Sequence, residues 1–416
     1  MEQTFSGRKS SSRRRPGPIK IYDIVVVGGG LAGLAQASLL ASAGFDVALL
    51  EAEPLPELGK PNYDLRTTAL SFASKGILEN LDVWTELAPR ACPILDIRIA
   101  DGDHVGFLHF DHHEVGDQPF GWIVENFRLR QVLTQHLQSY PNARIFSPCK
   151  VTDLARGAAE ITATLFDGGK ISARLMIAAD GRNSFVRDWA GIETIGHDYE
   201  THAVVCVLSH EKPHENLAIE HFMPHGPFAL LPMHNNGKKH RSALVWSENP
   251  DRAAELVAMP ETQFNELLYH HMPHYGGISV TGPRRAYPLK FQHAKKYYAP
   301  RIALISETVH AIHPIAGQGL NVGMRDITCL AKLLTNARAL GLDIGAETLL
   351  RRYGAMRMPD SAMMSAATHG LDKLFSNDFA SVATLRRAGL HMVAHLPPVK
   401  KFFMRYAMGL THRIAA

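Results

Sequence analysis

The stretch from Ile21 to Glu51 constrains the fold of this chain more than any other. Tyr22-Asp23-Ile24-Val25-Val26-Val27 is a short, continuous, β-branched run, the pattern of a strand buried on both faces of a parallel sheet. Gly28-Gly29-Gly30-Leu31-Ala32-Gly33 follows at once, and Leu34, Ala37, Leu39, Leu40 and Ala41 continue as a helix that closes at Gly44. A second strand, Asp46 to Leu50, ends on Glu51. This order is a dinucleotide-binding βαβ unit. Gly28 permits the tight turn, Gly30 lets the backbone approach a pyrophosphate, and Gly33 lets the helix lie close to the strand. The free N–H groups of the helix N-terminus, at Leu31 and Ala32, then face the phosphates, and Glu51 is placed to accept from ribose hydroxyls.

Length and charge bound what surrounds this unit. At 416 residues and 46% hydrophobic, the chain is long enough for two or three domains with real cores. Cys92, Cys149, Cys206 and Cys329 are too far apart for a zinc knuckle or a CxxC pair, which fits a reducing compartment. The net charge of +4 belongs to one end: residues 1–20 carry +5, so the remainder carries −1 and has no basic patch for nucleic acid. That end, rich in Arg and Ser with Pro16 and Pro18, has no apolar core of a signal peptide and is expected to be a disordered arm. No run approaches the ~20 apolar residues of a membrane-spanning helix.

Farther along, Tyr63 to Ser71 leads into a helical pattern at Ile77, Leu78, Leu81 and Trp84, where a classical NAD domain would continue to a third parallel strand. From His202 the period switches to strands, at 202–208, 217–223, 227–233 and 241–246, punctuated by Gly-Pro and Asn-Asn-Gly. An antiparallel sheet inserted between nucleotide-binding segments is expected. The nucleotide domain returns at Arg301-Ile302-Ala303-Leu304-Ile305, followed by a loop to Gly319 and a helix over about 321–334.

Three separated motifs resemble the class A flavoprotein aromatic monooxygenases, specifically the ubiquinone-biosynthesis hydroxylases: the Gly28 to Glu51 fingerprint, Ala179-Asp180-Gly181-Arg182-Asn183-Ser184, and His313-Pro314-Ile315-Ala316-Gly317-Gln318-Gly319-Leu320-Asn321-Val322-Gly323-Met324-Arg325-Asp326. Asp64-Leu65-Arg66, Val124-Glu125-Asn126 with Arg130, and Gly226 to Pro232 extend the similarity over almost the whole chain, and Arg357 and Asp360 also fit. The resemblance implies a p-hydroxybenzoate hydroxylase-like α/β fold: a Rossmann-like FAD-binding domain in three parts (21–90, 121–195, 299–345), a substrate-domain excursion at 91–120, an antiparallel substrate sheet at 196–298, and C-terminal helices at 346–416. It implies FAD held by Gly28, Gly30, Leu31, Ala32, Gly33, Glu51, Arg66, Arg130, Val151, Asp180, Gly181, Glu307, Gly317, Gln318, Gly319, Leu320 and Asn321, with NADPH or NADH as reductant and O₂ as co-substrate. The Pro314 carbonyl is expected near the substrate hydroxyl. The substrate implied is a polyprenylated phenol or quinol. The location implied is cytoplasmic and peripheral at the inner membrane in a bacterium, or on the matrix side of a mitochondrion, beside other ubiquinone-biosynthesis proteins.

One departure stands out. The family's Gly-Asp before the third motif is here Ser306-Glu307, which adds a Cβ and lengthens the acid by a methylene. Weaker FAD retention is expected, and a catalytically impaired scaffold subunit is the alternative function. The groups His104, His109, Asp111, His112, His113, Glu114 and His270, His271, His274 read as solvated polar loops, with no metal expected. Near the C-terminus Val399, Phe402, Phe403, Tyr406 and Leu410 form one face of an amphipathic helix opposite Lys401, Arg405 and His412, a final packed helix or an interfacial one.

Overall fold

A computed structural model describes residues 20–55, 64–101, 107–223, 226–312, 317–375, 393 and 395–410. The basic arm before Lys20 and the Pro314 segment lie outside the described residues. The first strand, Ile21–Val27, sits inside an eight-stranded sheet between Val47–Leu50 and Lys170–Ala178, parallel to both. Ile24, Val25 and Val26 have no exposed surface, as a strand covered on both faces requires. Val27 lies opposite Leu50 on one side and Ala178 on the other, and Ala178 lies opposite Leu304 of Ile302–Leu304. Four parallel strands therefore end together, and Gly28, Glu51, Ala179 and Ile305 all emerge at one edge. In open α/β sheets that carboxyl edge is where ligands bind. Helix Leu31–Ser42 packs against Asn126–Gln138 and Gly319–Ala339, and the chain leaves it at Gly44 with φ +82°.

The second sheet also has eight strands. From one edge to the other these are His310–Ala311, Ile278–Ala294, Thr194–His210, Lys239–Glu248, Gly226–Asn236, Leu217–Met223, Asp96–Asp101 and Phe107–Asp111. It is antiparallel except for one parallel pair, Leu217–Met223 with Asp96–Asp101, where a hairpin from earlier in the chain adds to the edge. Helices Pro250–Ala258 and Glu261–His271 cover its outer face over Val204, Cys206, Leu208, Phe228, Leu230, Leu244 and Trp246. Its inner face, with Ile97, Ile99, Val207, Leu231, Met233 and Ala243, packs on Leu65, Ala69 and Phe72. A small sheet of Thr67–Ser71, Gly121–Glu125 and Cys92–Ile94 packs against strand Gly226–Asn236 of the second sheet.

Two local expectations change. The helical pattern around Ile77 to Trp84 is broken into Phe72–Asn80 and Trp84–Leu87, with Asp82 at φ +56° between them. In the C-terminal helix Pro397–Ala407, the residues seated on the body are Met404, with Met408 just beyond, while Lys400 pairs with Glu114 at 2.5 Å. Phe402, Phe403 and Leu410 remain about half exposed, at 56%, 48% and 46%. Met404 and Met408, four residues apart, face the body, Tyr406 is half-buried with Arg325 over its ring, and Phe402 and Phe403 turn outward.

Candidate active site

The turn after the first strand is closed to side chains at Gly28, Gly29 and Gly33 and open at Gly30. Gly28 has φ +106°, and a Cβ there would fall 2.3 Å from the Ala179 carbonyl oxygen. A Cβ on Gly33 would come within 1.9 Å of the Gly28 oxygen. Over Gly30 a Cβ would meet nothing within 4 Å. Gly30 is the N-cap of Leu31–Ser42 and supplies no side-chain cap, so the first N–H groups of that helix, beside half-buried Leu31 and Ala32, look into this opening. Glu51 accepts the Gly29 N–H at 2.5 Å through one oxygen and the Glu53 N–H at 2.9 Å through the other. A carboxylate has about four acceptor positions, so capacity for a ribose hydroxyl remains.

Arg130, from helix Asn126–Gln138, donates to the Gly29 carbonyl at 2.8 Å and lies 3.4 Å from Glu51. It puts a cation on the rim of the opening. Cys149 N–H donates to the Glu51 carbonyl, and buried Val151 opens the next strand two residues on. Asp180 accepts from the Ser184 hydroxyl at 2.6 Å and the Val186 N–H at 3.1 Å. Burial nevertheless pushes its carboxyl above the ordinary range. Gly181 follows at φ +82° with open space beside it.

The third motif is fastened by Asn321. Its amide oxygen accepts the Ser71 N–H at 2.9 Å, and its amide nitrogen donates to the Ala69 carbonyl at 2.8 Å. Its side chain thus joins the helix Gly319–Ala339 to the strand Thr67–Ser71, a stitching role the sequence did not disclose. Gly317, at φ +61°, abuts Ala69, Gln318 is buried, and Gly319 and Leu320 open the helix. Across the site Arg66 forks onto Asp64, at 2.8 and 2.9 Å, and lies over the Tyr287 ring.

At the Ser306-Glu307 departure, Ser306 keeps φ +56°, the left-handed backbone that favours glycine. Gly323 makes room: a Cβ there would be 2.4 Å from Ser306 Oγ. Glu307 is exposed on the turn Ser306–Thr308. The turn is anchored from below by Asp326, fully buried, which accepts from Ser306 N–H at 3.0 Å, His310 Nε2 at 2.7 Å and Arg357 Nε at 2.7 Å. Arg357 also pairs with Asp360 at 2.6 Å, which pairs with Arg325 at 3.2 Å. Burial alone would raise Asp326, but the charges and hydrogen bonds of His310 and Arg357 outweigh it and hold the carboxyl below its ordinary range. Sequence reading quoted Asp326, Arg325, Arg357 and Asp360 in separate places without joining them, and Tyr287 and Glu220 carried no signal there.

Of the histidine groups, Asp111, His112 and His113 bring ligand atoms within 4.8 Å of one another. Two of those side chains already serve the fold: Asp111 accepts the His113 N–H, and His112 Nδ1 bonds the Leu95 carbonyl. His271 packs its ring on Phe228 and Trp246.

Comparison with known proteins gives the same reading from outside. Residues 21–367 match the family model described as FAD binding domain. Ubiquinone hydroxylase UbiL of Rhodospirillum rubrum is 42% identical over 94% of this chain and 90% of its own length. The 3-demethoxyubiquinol 3-hydroxylase of Escherichia coli is 33% identical over 93% and 98%. Among solved structures, p-nitrophenol 4-monooxygenase PnpA from Pseudomonas putida superposes with a TM-score of 0.78 at 20% identity, covering 95% of this chain and 100% of that one.

Proposed function

The chain belongs to the FAD binding domain family and is an FAD-dependent monooxygenase, and on that premise we propose that it hydroxylates the ring of a polyprenylated phenol or quinol intermediate of ubiquinone biosynthesis. The near full-length similarity to ubiquinone hydroxylase UbiL carries this reading. The fingerprint corner fits FAD: an uncapped helix start, open space over Gly30 and the Arg130 cation suit a pyrophosphate. In this reading Gly28, Gly30, Leu31, Ala32 and Gly33 hold the pyrophosphate, Glu51 the ribose, and Asp180-Gly181 the chain beyond it. Gly317 to Leu320 offer backbone N–H groups to the ring, while Arg66, Arg130, Val151, Glu307 and Asn321 border the cofactor. Bound FAD supplies the redox chemistry, taking electrons from NADPH or NADH and passing them to O₂. The protein's part is to hold the phenol against the ring, keep water out and govern the hydroxyl proton.

No helix among the described residues is long and apolar enough to cross a membrane. Phe402, Phe403 and Leu410, exposed beside Lys401 and Arg405, suit an anionic lipid surface that holds the substrate. The enzyme then works at the cytoplasmic side of the inner membrane, or the matrix side in a mitochondrion, beside other ubiquinone-biosynthesis proteins. No observation favours a scaffold without catalysis, and the near full-length relatives are named as hydroxylases. A strain lacking the gene tests the reading: it accumulates a quinone precursor short of one ring hydroxyl. Normal ubiquinone and no such precursor, in a strain without a second hydroxylase, would refute it.

A further inference from the structure

The inner face of the second sheet carries a carboxyl that the site described so far does not use. Glu220 lies on Leu217–Met223, whose side chains alternate between faces. Ile219 and Met223 enter the helix-covered core, and Ala218 enters the inner one, so Glu220 points inward. Directly across the ladders it meets Ile99 on one side and Ala229 on the other, and the row runs on to Val245 and Val205. Ala218 and Phe222, its neighbours along the strand on that face, are buried. Glu220 is thus one acid in an apolar wall. The residues covering this wall include Ala69, which also touches the Gly317 position and takes the Asn321 amide.

Among the described residues Glu220 has no hydrogen-bond or ion-pair partner. The charged groups that this face and its covering elements present include Arg241 with Glu125, Arg66 with Asp64, and Lys400 with Glu114, each already paired, and Arg285, which is exposed at the far end of the Glu220 row beyond Val205. Part of the Glu220 surface stays accessible. Burial alone pushes its carboxyl up to about 7. An unpaired acid in apolar surroundings costs stability, and such groups gather at functional sites.

We propose that Glu220 is a catalytic residue that accepts the hydrogen bond, and then the proton, of the substrate's ring hydroxyl. This rests on the ring-hydroxylase reading above. In the step the phenolic O–H bond breaks, its electron pair stays on the phenol oxygen, and the proton bonds to a Glu220 carboxylate oxygen. The resulting phenolate is a more electron-rich ring. A phenol titrates near about 10, so an acid poised near neutrality is a better-matched acceptor than an ordinary glutamate.

The test uses the FAD-loaded full chain with 2-prenylphenol and a series of ring-fluorinated 2-prenylphenols of falling pKa. FAD content and unfolding temperature are read alongside. Glu220→Gln is expected to stay folded and FAD-loaded and to slow product formation from 2-prenylphenol roughly 100-fold. That loss should shrink below about 10-fold for the most acidic phenols, and Glu220→Asp should recover part of the rate. A Glu220→Gln rate within about 3-fold of wild type, a loss equal across the series, or a variant that sheds FAD and unfolds early would each overturn the assignment. A wild-type enzyme that leaves every phenol of the series unchanged would instead refute the ring-hydroxylase reading itself.

Discussion

Two corners of one sheet edge solve the same problem differently. At Gly28 to Glu51 the backbone is free to approach a ligand because four glycines stand within six residues, and the helix and strand around them are local in sequence. At Ser306 the equivalent turn holds a serine in a glycine's conformation, and its stability comes from far away. Asp326, His310, Arg357 and Asp360 brace it from below, and Gly323 yields the space for its side chain. The first corner is protected by what is missing from it. The second is protected by a buried charge network, so it is the more sensitive to single polar substitutions.

The largest effect should come from the network. Asp326→Ala leaves His310 and Arg357 buried without their shared acid and is expected to cost about 3 to 5 kcal/mol in denaturant unfolding, with FAD lost in parallel. The pH dependence has a definite sign. Asp326 is held below its unfolded value, so its contribution is complete above about pH 4 and is lost as pH falls through the folded value. Next comes Gly33→Ala, whose Cβ has backbone to meet rather than a side chain, with an expected cost of about 3 kcal/mol. Gly30→Ala should leave unfolding within about 0.5 kcal/mol while weakening FAD binding, which separates cofactor approach from fold at one turn.

Much of this comparison was legible in the sequence, and unevenly. The βαβ unit could be read because strand, glycines, helix and terminal acid are contiguous. The inserted sheet could be read from its period of two, although one parallel pair, made with a hairpin more than a hundred residues earlier, could not. Asn321 was found through its motif, but its bonds to Ser71 and Ala69 span some 250 residues. Glu220 gave no signal at all, because a single acid in a strand reads as a solvent-facing residue until the covering elements are known. The C-terminal helix was found with its two alternatives open, and the Met404 and Met408 contact that seats it on the body gave no signal beside the aromatic residues.

Smaller effects sharpen the contrast. Glu220 is raised above its unfolded value, so folding carries a penalty that grows as pH rises from about 4.5 through 7. Glu220→Gln should therefore gain stability on the order of 2 to 3 kcal/mol at pH 8 and little at pH 4. Ser306→Gly should relieve about 1 kcal/mol of backbone strain and slow the loss of FAD on dialysis. Gly323→Ala should destabilise the wild type by about 2 kcal/mol yet be neutral or stabilising beside Ser306→Gly, a coupling read from a double-mutant cycle. Phe402→Ser with Phe403→Ser should alter unfolding by no more than about 0.5 kcal/mol while cutting cosedimentation with anionic liposomes about fivefold or more.

The most direct measurement is a single turnover of the purified, FAD-loaded protein with NADPH or NADH and a prenylated phenol under ¹⁸O₂. The expected result is oxidation of the nicotinamide stimulated by the phenol, with one labelled oxygen on the ring of the product. Nicotinamide oxidation that the phenol does not stimulate, or a phenol recovered without label, would contradict a ring hydroxylase.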